Sequence, residues 1–179
     1  MIKKRGSNLE LNDVYDQNRN LTGRVHRRGG KWGSGEYGLV VCVWVYDGKG
    51  KVLLTRRAPE KSAPGTWENS GGAAKAGEDS LSAVVRELYE ETGIRADKDE
   101  FEFLGSDRDR NNYFDHYCLK NATPLEQIVL LPGETDGAKW VTFRQVHQMI
   151  ANKQICSIIA NQFVRLEQQL LKRQSVQGG

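Results

Sequence analysis

The chain has 179 residues, 38% of them hydrophobic, which suits one domain with a sizeable core and leaves little material for a second. Lys and Arg number 26 against 23 Asp and Glu, and this mild excess of +3 favours anionic small molecules without demanding nucleic acid as a partner. Cys42, Cys118 and Cys156 are odd in number, far apart and set in apolar surroundings, which excludes a disulfide framework or a zinc-ligand spacing and fits a reducing compartment.

Residues 9 to 25 are expected to form a hairpin, with strands from Leu9 to Tyr15 and from Leu21 to Val25 around a polar turn. A basic, glycine-rich connection follows, carrying Arg24, His26, Arg27, Arg28 and Lys31. It reads either as a solvated loop or as the rim of an anion site. Tyr37 to Tyr46 is almost continuously apolar and β-prone, and Asp47-Gly48-Lys49-Gly50 turns it into a second strand, Lys51 to Arg56; these are the expected sheet centre. Arg56, Arg57 and Lys61 then place positive charge just ahead of Trp67-Glu68-Asn69.

From Asp79 to Thr92 the periodicity predicts one helix, stopped by Gly93 where a left-handed cap is easiest. Leu81, Val84, Val85 and Leu88 make its apolar stripe, and Glu87, Glu90 and Glu91 fall on the neighbouring face. Like charges four residues apart cost roughly 0.2–0.5 kcal/mol, so this acidic flank does not serve the helix itself. Arg86 can pair with Glu90, but one guanidinium cannot neutralise three carboxylates. A hard divalent cation can, because Mg²⁺ takes oxygen ligands from a few carboxylates and from substrate phosphates.

Further strands are expected at Phe101 to Ser106, Asn112 to Leu119, Ile128 to Leu131 and Lys139 to Thr142. Helices are expected over about 143–152 and 156–173, with fraying from Gln174. The whole reads as an α/β (α+β) fold, a mixed sheet with helices on both faces, spanning 1–179 as one domain. No apolar run reaches the ~18 residues of a membrane span, and Met1-Ile2-Lys3-Lys4-Arg5 opens no apolar signal core, so the expected location is cytoplasmic.

Gly72, five residues, Glu78, seven residues, Arg86-Glu87-Leu88, one residue, Glu90-Glu91, one residue, Gly93-Ile94: this pattern resembles, without a gap, the Nudix box. The resemblance implies an α/β/α sandwich and a hydrolase that cleaves a diphosphate linked to another moiety with Mg²⁺ or Mn²⁺. Carried over, it makes Glu87, Glu90 and Glu91 metal ligands, with the Gly72 carbonyl a further one, Arg86 the residue that orients the carboxylates, and Glu78 an outer or bridging acid. It leaves the general base open between Glu87 within the box and Glu134 or Asp136 on the later loop. A small-molecule diphosphate is the implied partner, a homodimer is compatible with it, and neither membrane nor nucleic acid is required.

The flanks are similar to isopentenyl diphosphate isomerase, a Nudix-fold enzyme. Leu-Thr-Gly, Val-Val-Cys-Val-Trp, Leu-Leu-Thr-Arg-Arg, Lys61, Pro-Gly-Thr-Trp and Asn-Ser occur in the same order over most of residues 11 to 94. That likeness implies diphosphate binding by Arg27, Arg57 and Lys61. The isomerase's cysteine after Asn-Ser is replaced by Gly71-Gly72, and its histidine metal ligands by Lys31, Gly38 and Ala73, so the expected reaction is hydrolysis.

Overall fold

The computed structural model describes residues 10–175. Two antiparallel strands, β1 (Leu11–Tyr15) and β2 (Leu21–Arg27), form a separate hairpin. Leu9, the expected start of that hairpin, lies outside the described residues. The remaining strands, β3 (Gly38–Tyr46), β4 (Lys51–Arg57), β5 (Trp67–Glu68), β6 (Ser70–Ala73), β7 (Phe101–Asp109), β8 (Asn112–Lys120) and β9 (Thr135–Thr142), make one mixed sheet. Its helices are α1 (Ser80–Thr92), α2 (Phe143–Ala151) and α3 (Ser157–Ser175). Gln174 therefore continues α3, and the fraying expected for 176–179 falls outside the described residues.

β3 is the axis of the sheet. It runs parallel to β8 from Gly38↔Asn112 to Tyr46↔Lys120 and antiparallel to β6 from Val40↔Ala73 to Val43↔Ser70. Both of its faces are covered, which is why its sequence is an unbroken apolar run and not an alternating one. Val41, Val43 and Val45 pack with Val84 and Leu88 of α1. Trp44 and Tyr46 pack on the opposite face with Val146 of α2 and Phe163, Leu166 and Leu170 of α3. The layering is helix, sheet, helix.

The β3–β4 hairpin is only nominally a pair. Beyond its turn, where Asp47 Oδ1 accepts from the Lys49 and Lys51 amides at 2.7 and 2.9 Å, the two strands register at Tyr46↔Val52 alone. β4 then swings away to pair with β9 and β5, and β6 fills the wedge beside β3. The segment that opens the acidic helix is thus inserted between two diverging strands.

One expected strand is absent and two short unexpected ones are present. Ile128 to Leu131 is not a strand: it follows a 3₁₀ turn at Leu125–Gln127 and runs unladdered past the end of α1, where the Val129 amide donates to the Thr92 carbonyl at 2.9 Å. Its composition is β-prone, but Val129 is 67% exposed and no neighbouring strand offers it a ladder. Trp67–Ala73, for which no strand was expected, supplies β5 and β6.

Candidate metal and diphosphate site

α1 begins where Asp79, in extended conformation, accepts from the Ser82 amide at 2.6 Å, and ends at Gly93 with φ 71°. These caps fix the helix phase, so that Ala83, Val84 and Leu88 are buried and Glu87 and Glu91 turn towards β6. The N-terminal hairpin holds the loop that feeds the helix. Asn12 Nδ2 donates to the Ala74 carbonyl at 2.7 Å, the Ala76 amide to Leu11 at 2.8 Å, and the Gly77 amide to Asp13 at 2.7 Å.

A cavity of about 130 Å³ lies between β6, α1 and the approach to β9, lined by Gly71, Gly72, Glu87, Glu90, Glu91, Lys61 and Glu134, with Glu10 and Arg28 at its rim. The expected ligands Gly72, Glu87, Glu90 and Glu91 are therefore brought together, with Lys61 and Glu134 facing them. A Cβ on Gly72 would meet the Glu87 carboxyl carbon at 2.5 Å, so this carboxylate rests on bare backbone.

Arg86 organises the acids. Its Nε and Nη2 grip Glu78 at 2.8 Å each, Nη1 donates to Glu87 at 2.7 Å and to Glu90 at 3.1 Å, and Nη2 also reaches the Ala73 carbonyl at 3.2 Å. A planar guanidinium fork fits this arrangement and an ammonium does not. Burial raises the pKa of Glu87, and the Arg86 bond and charge only partly offset it.

Glu91 is 7% exposed and accepts one long bond, 3.2 Å, from the Gly71 amide. Burial, then the charges of Glu68 and Glu87, push its pKa up to about 8. Such a carboxylate is under-neutralised by its own protein. Oxygen donors at Glu87, Glu90, Glu91 and the Gly72 backbone are the chemistry of a hard divalent cation, and the missing side chain at Gly72 lets the Glu87 carboxylate lie directly against that backbone. Among the described residues, however, no three acidic, His or Cys side chains stand as a ready-made cage, since Glu87 and Glu90 are turned to Arg86.

The basic candidates divide. Lys61 pairs with Glu134 inside the cavity. Arg57 lies apart from the lining: its Nη1 donates to both Glu68 oxygens at 2.8 and 2.7 Å, while Nε and Nη2 bond Ser62. Arg27 is exposed on β2 and does not reach the cavity; its neighbour Arg28, paired with Glu10, does. The order Arg27-Arg28 at the end of a strand gives no sign of which points inward. Asp136 is bound by Arg56 Nε at 2.6 Å and also lies outside the lining, which leaves Glu134 as the later-loop acid at the cavity.

Glu68 is a residue the sequence did not single out. It is half-buried beside Arg57; desolvation raises its pKa, and its charge bears on Glu91. The available signal was a carboxylate that follows a basic stretch, Arg56, Arg57 and Lys61, and stands immediately ahead of the box.

The NUDIX domain profile matches residues 36–160. The chain is 31% identical over 143 residues to an uncharacterized Nudix hydrolase of Listeria monocytogenes, covering 79% of this chain and 85% of that protein. The isopentenyl-diphosphate Delta-isomerase of Shigella flexneri is 43% identical over only 58 residues, 31% of this chain and 32% of the isomerase, a shorter likeness than the flanking motifs suggest. A solved structure from Deinococcus radiodurans superposes with a TM-score of 0.73 over 87% of this chain and 98% of its own, at 20% identity, a likeness of fold. With the profile over most of the chain and a relative 31% identical over 85% of its own length, the chain belongs to the Nudix hydrolase family, whose members hydrolyse pyrophosphate bonds.

Proposed function

We propose that this Nudix hydrolase requires Mg²⁺ or Mn²⁺ and cleaves the diphosphate bond of a nucleoside diphosphate linked to another moiety. The observation that carries the reading is the packing of the Glu87 carboxylate on Gly72, with Glu90, Glu91 and Lys61 lining the same cavity. Glu87, Glu90, Glu91 and the Gly72 carbonyl would hold the ion. A bound divalent ion supplies Lewis-acid polarisation of the phosphoryl oxygens and lowers the pKa of a coordinated water. Arg86 keeps the carboxylates aligned, and Lys61 and Arg28 offset substrate charge. Glu134 Oε2, paired with Lys61, takes the proton from the attacking water. Glu87 is the alternative proton acceptor.

The isomerase reaction is disfavoured by the backbone itself. A Cβ on Gly71 would meet the Val41 carbonyl oxygen at 2.2 Å, so a cysteine nucleophile has no place there. Phosphate release from nucleoside diphosphate derivatives is the test, run with Mg²⁺, with Mn²⁺ and with EDTA. Metal-dependent turnover of at least one derivative is expected. No turnover with either metal, or turnover unaffected by EDTA, overturns the reading, and conversion of isopentenyl to dimethylallyl diphosphate would replace it.

A further inference from the structure

Glu90 and Leu131 line the diphosphate cavity and also a second hollow, of about 530 Å³, that opens beside it. Tyr89 and Gly93, at the end of α1, and Val129, Leu130 and Pro132, from the segment that crosses this end, supply most of its remaining surface. The lining is mostly apolar, yet it is open to water: Tyr89 is 43%, Val129 67% and Leu131 37% exposed.

Backbone bonds hold these apolar residues in place. The Val129 amide donates to the Thr92 carbonyl at 2.9 Å, and the Leu131 carbonyl accepts from the Glu134 and Thr135 amides at 3.1 and 3.0 Å. Gly93 permits the close approach, since a Cβ there would meet the Val129 Cβ at 3.0 Å. A segment pinned on both sides of Leu130 is not free to turn its side chains into the core, so the apolar surface is preformed for whatever covers it.

The polar groups at the hollow are already engaged. Arg95 lies over the Tyr89 ring at 4.4 Å and donates to its hydroxyl at 2.8 Å. Glu90 is held by Arg86 at 3.1 Å and by Lys75 at 3.5 Å. A sugar seated here would give up the water around its hydroxyls with few partners to replace it, which is unfavourable. An alkyl or prenyl chain carries no such cost and would cover Tyr89, Val129 and Leu131.

We infer that this hollow receives the second substituent of the substrate diphosphate, and that this substituent is an apolar chain. The inference rests on the hydrolase reading for where the diphosphate sits, and it names the moiety which that reading leaves open. Because Glu90 and Leu131 belong to both cavities, a chain esterified to the bound diphosphate passes from one into the other over Leu131.

The test is the affinity for methyl, butyl and octyl diphosphate in Mg²⁺, read as KM where the ester is hydrolysed and as a calorimetric Kd where it is not. Full burial of a methylene is worth about fourfold in affinity, and an open hollow covers about half of a chain, so the gain should be about twofold per methylene that stays on the surface. Octyl diphosphate should therefore bind at least about tenfold more tightly than methyl diphosphate, and glucose 1-diphosphate no more tightly than the methyl ester. Val129 lines the hollow and not the diphosphate cavity. Val129→Asn, polar but uncharged, should cut the octyl gain at least about threefold and leave both the affinity for methyl diphosphate and the melting temperature as in wild type; Val129→Leu should keep the gain. The inference is overturned by a flat series, by a gain that Val129→Asn leaves intact, or by glucose 1-diphosphate binding more tightly than octyl diphosphate. It is also overturned if wild type sediments as a dimer that Val129→Asn separates, which would give the surface to a second copy of the chain. A chain-length series that depends on Val129, without hydrolysis of any diphosphate under Mg²⁺ or Mn²⁺, keeps the hollow and removes the hydrolase reading; hydrolysis with a flat series does the reverse.

Discussion

The Glu87 carboxylate occupies the space that a side chain at Gly72 would need, with both oxygens within 2.6 Å of an ideal Cβ position. The adjacent Gly71 is blocked by backbone, at 2.2 Å from the Val41 carbonyl oxygen. The two glycines therefore predict opposite failures. Gly72→Ala pushes aside the flexible end of one side chain, so the melting temperature should change little while kcat/KM falls about 10²-fold, the usual cost of a catalytic group displaced by an ångström. Gly71→Ala should destabilise by about 1–3 kcal/mol, read as a lower urea midpoint, because a strand must move.

Arg86→Ala removes the fork that spans Glu78, Glu87, Glu90 and the Ala73 carbonyl. Turnover should fall on the order of 10²-fold through lost alignment, and Arg86→Lys should restore little of it, since an ammonium cannot bridge these partners. Recovery to near wild-type rates in Arg86→Lys would show that charge alone matters.

Glu91→Gln should lower kcat by at least ~10²-fold through lost negative charge at the ion. The same variant should leave the metal-free protein as stable as wild type or more so at pH 8, because it removes a buried carboxylate from beside Glu68 and Glu87. Unchanged turnover in steady-state assays would remove Glu91 from the ligand set.

Glu134→Gln distinguishes the two candidate bases. If Glu134 accepts the proton, kcat should drop about 10²- to 10⁴-fold and the acid limb of the pH–rate profile should change. If only KM rises, its role is confined to holding Lys61 in place, and Glu87 is the base.

His116 gives the fold its own pH dependence. Burial pushes its pKa down to about 4, against the opposing charge of Asp115. The unfolded chain takes up a proton near pH 6.5, whereas the folded chain resists until about pH 4. Its contribution is therefore complete above pH 6.5 and is lost as pH falls through that window. Urea midpoints measured from pH 7 to 4.5 should decline less steeply in His116→Gln than in wild type.

How far the sequence reaches is shown by particular residues. The continuous apolar run of β3 and the capped periodicity of α1 are local signals, and the structure places both at the expected positions within a residue or two. β6 carries Gly71 and Gly72, poor strand formers, and is a strand only because β3 offers a ladder, a contact that no local window contains. Ile128 to Leu131 errs in the opposite sense, with strand composition and no neighbour to pair with. The acids of the box were legible because they share one helix face. The choice of Arg28 over Arg27 and the place of Glu68 were not, because they depend on which way a side chain points.

The lone Tyr46–Val52 rung has a mechanical meaning. It acts as the rivet of a pair of scissors: the handles are the Asp47–Gly50 turn, and the blades part around the segment that carries Gly71 and Gly72. Lengthening or stiffening that turn should alter how wide the blades stand, so the reaction centre can be tuned from the opposite end of the molecule without touching an acid.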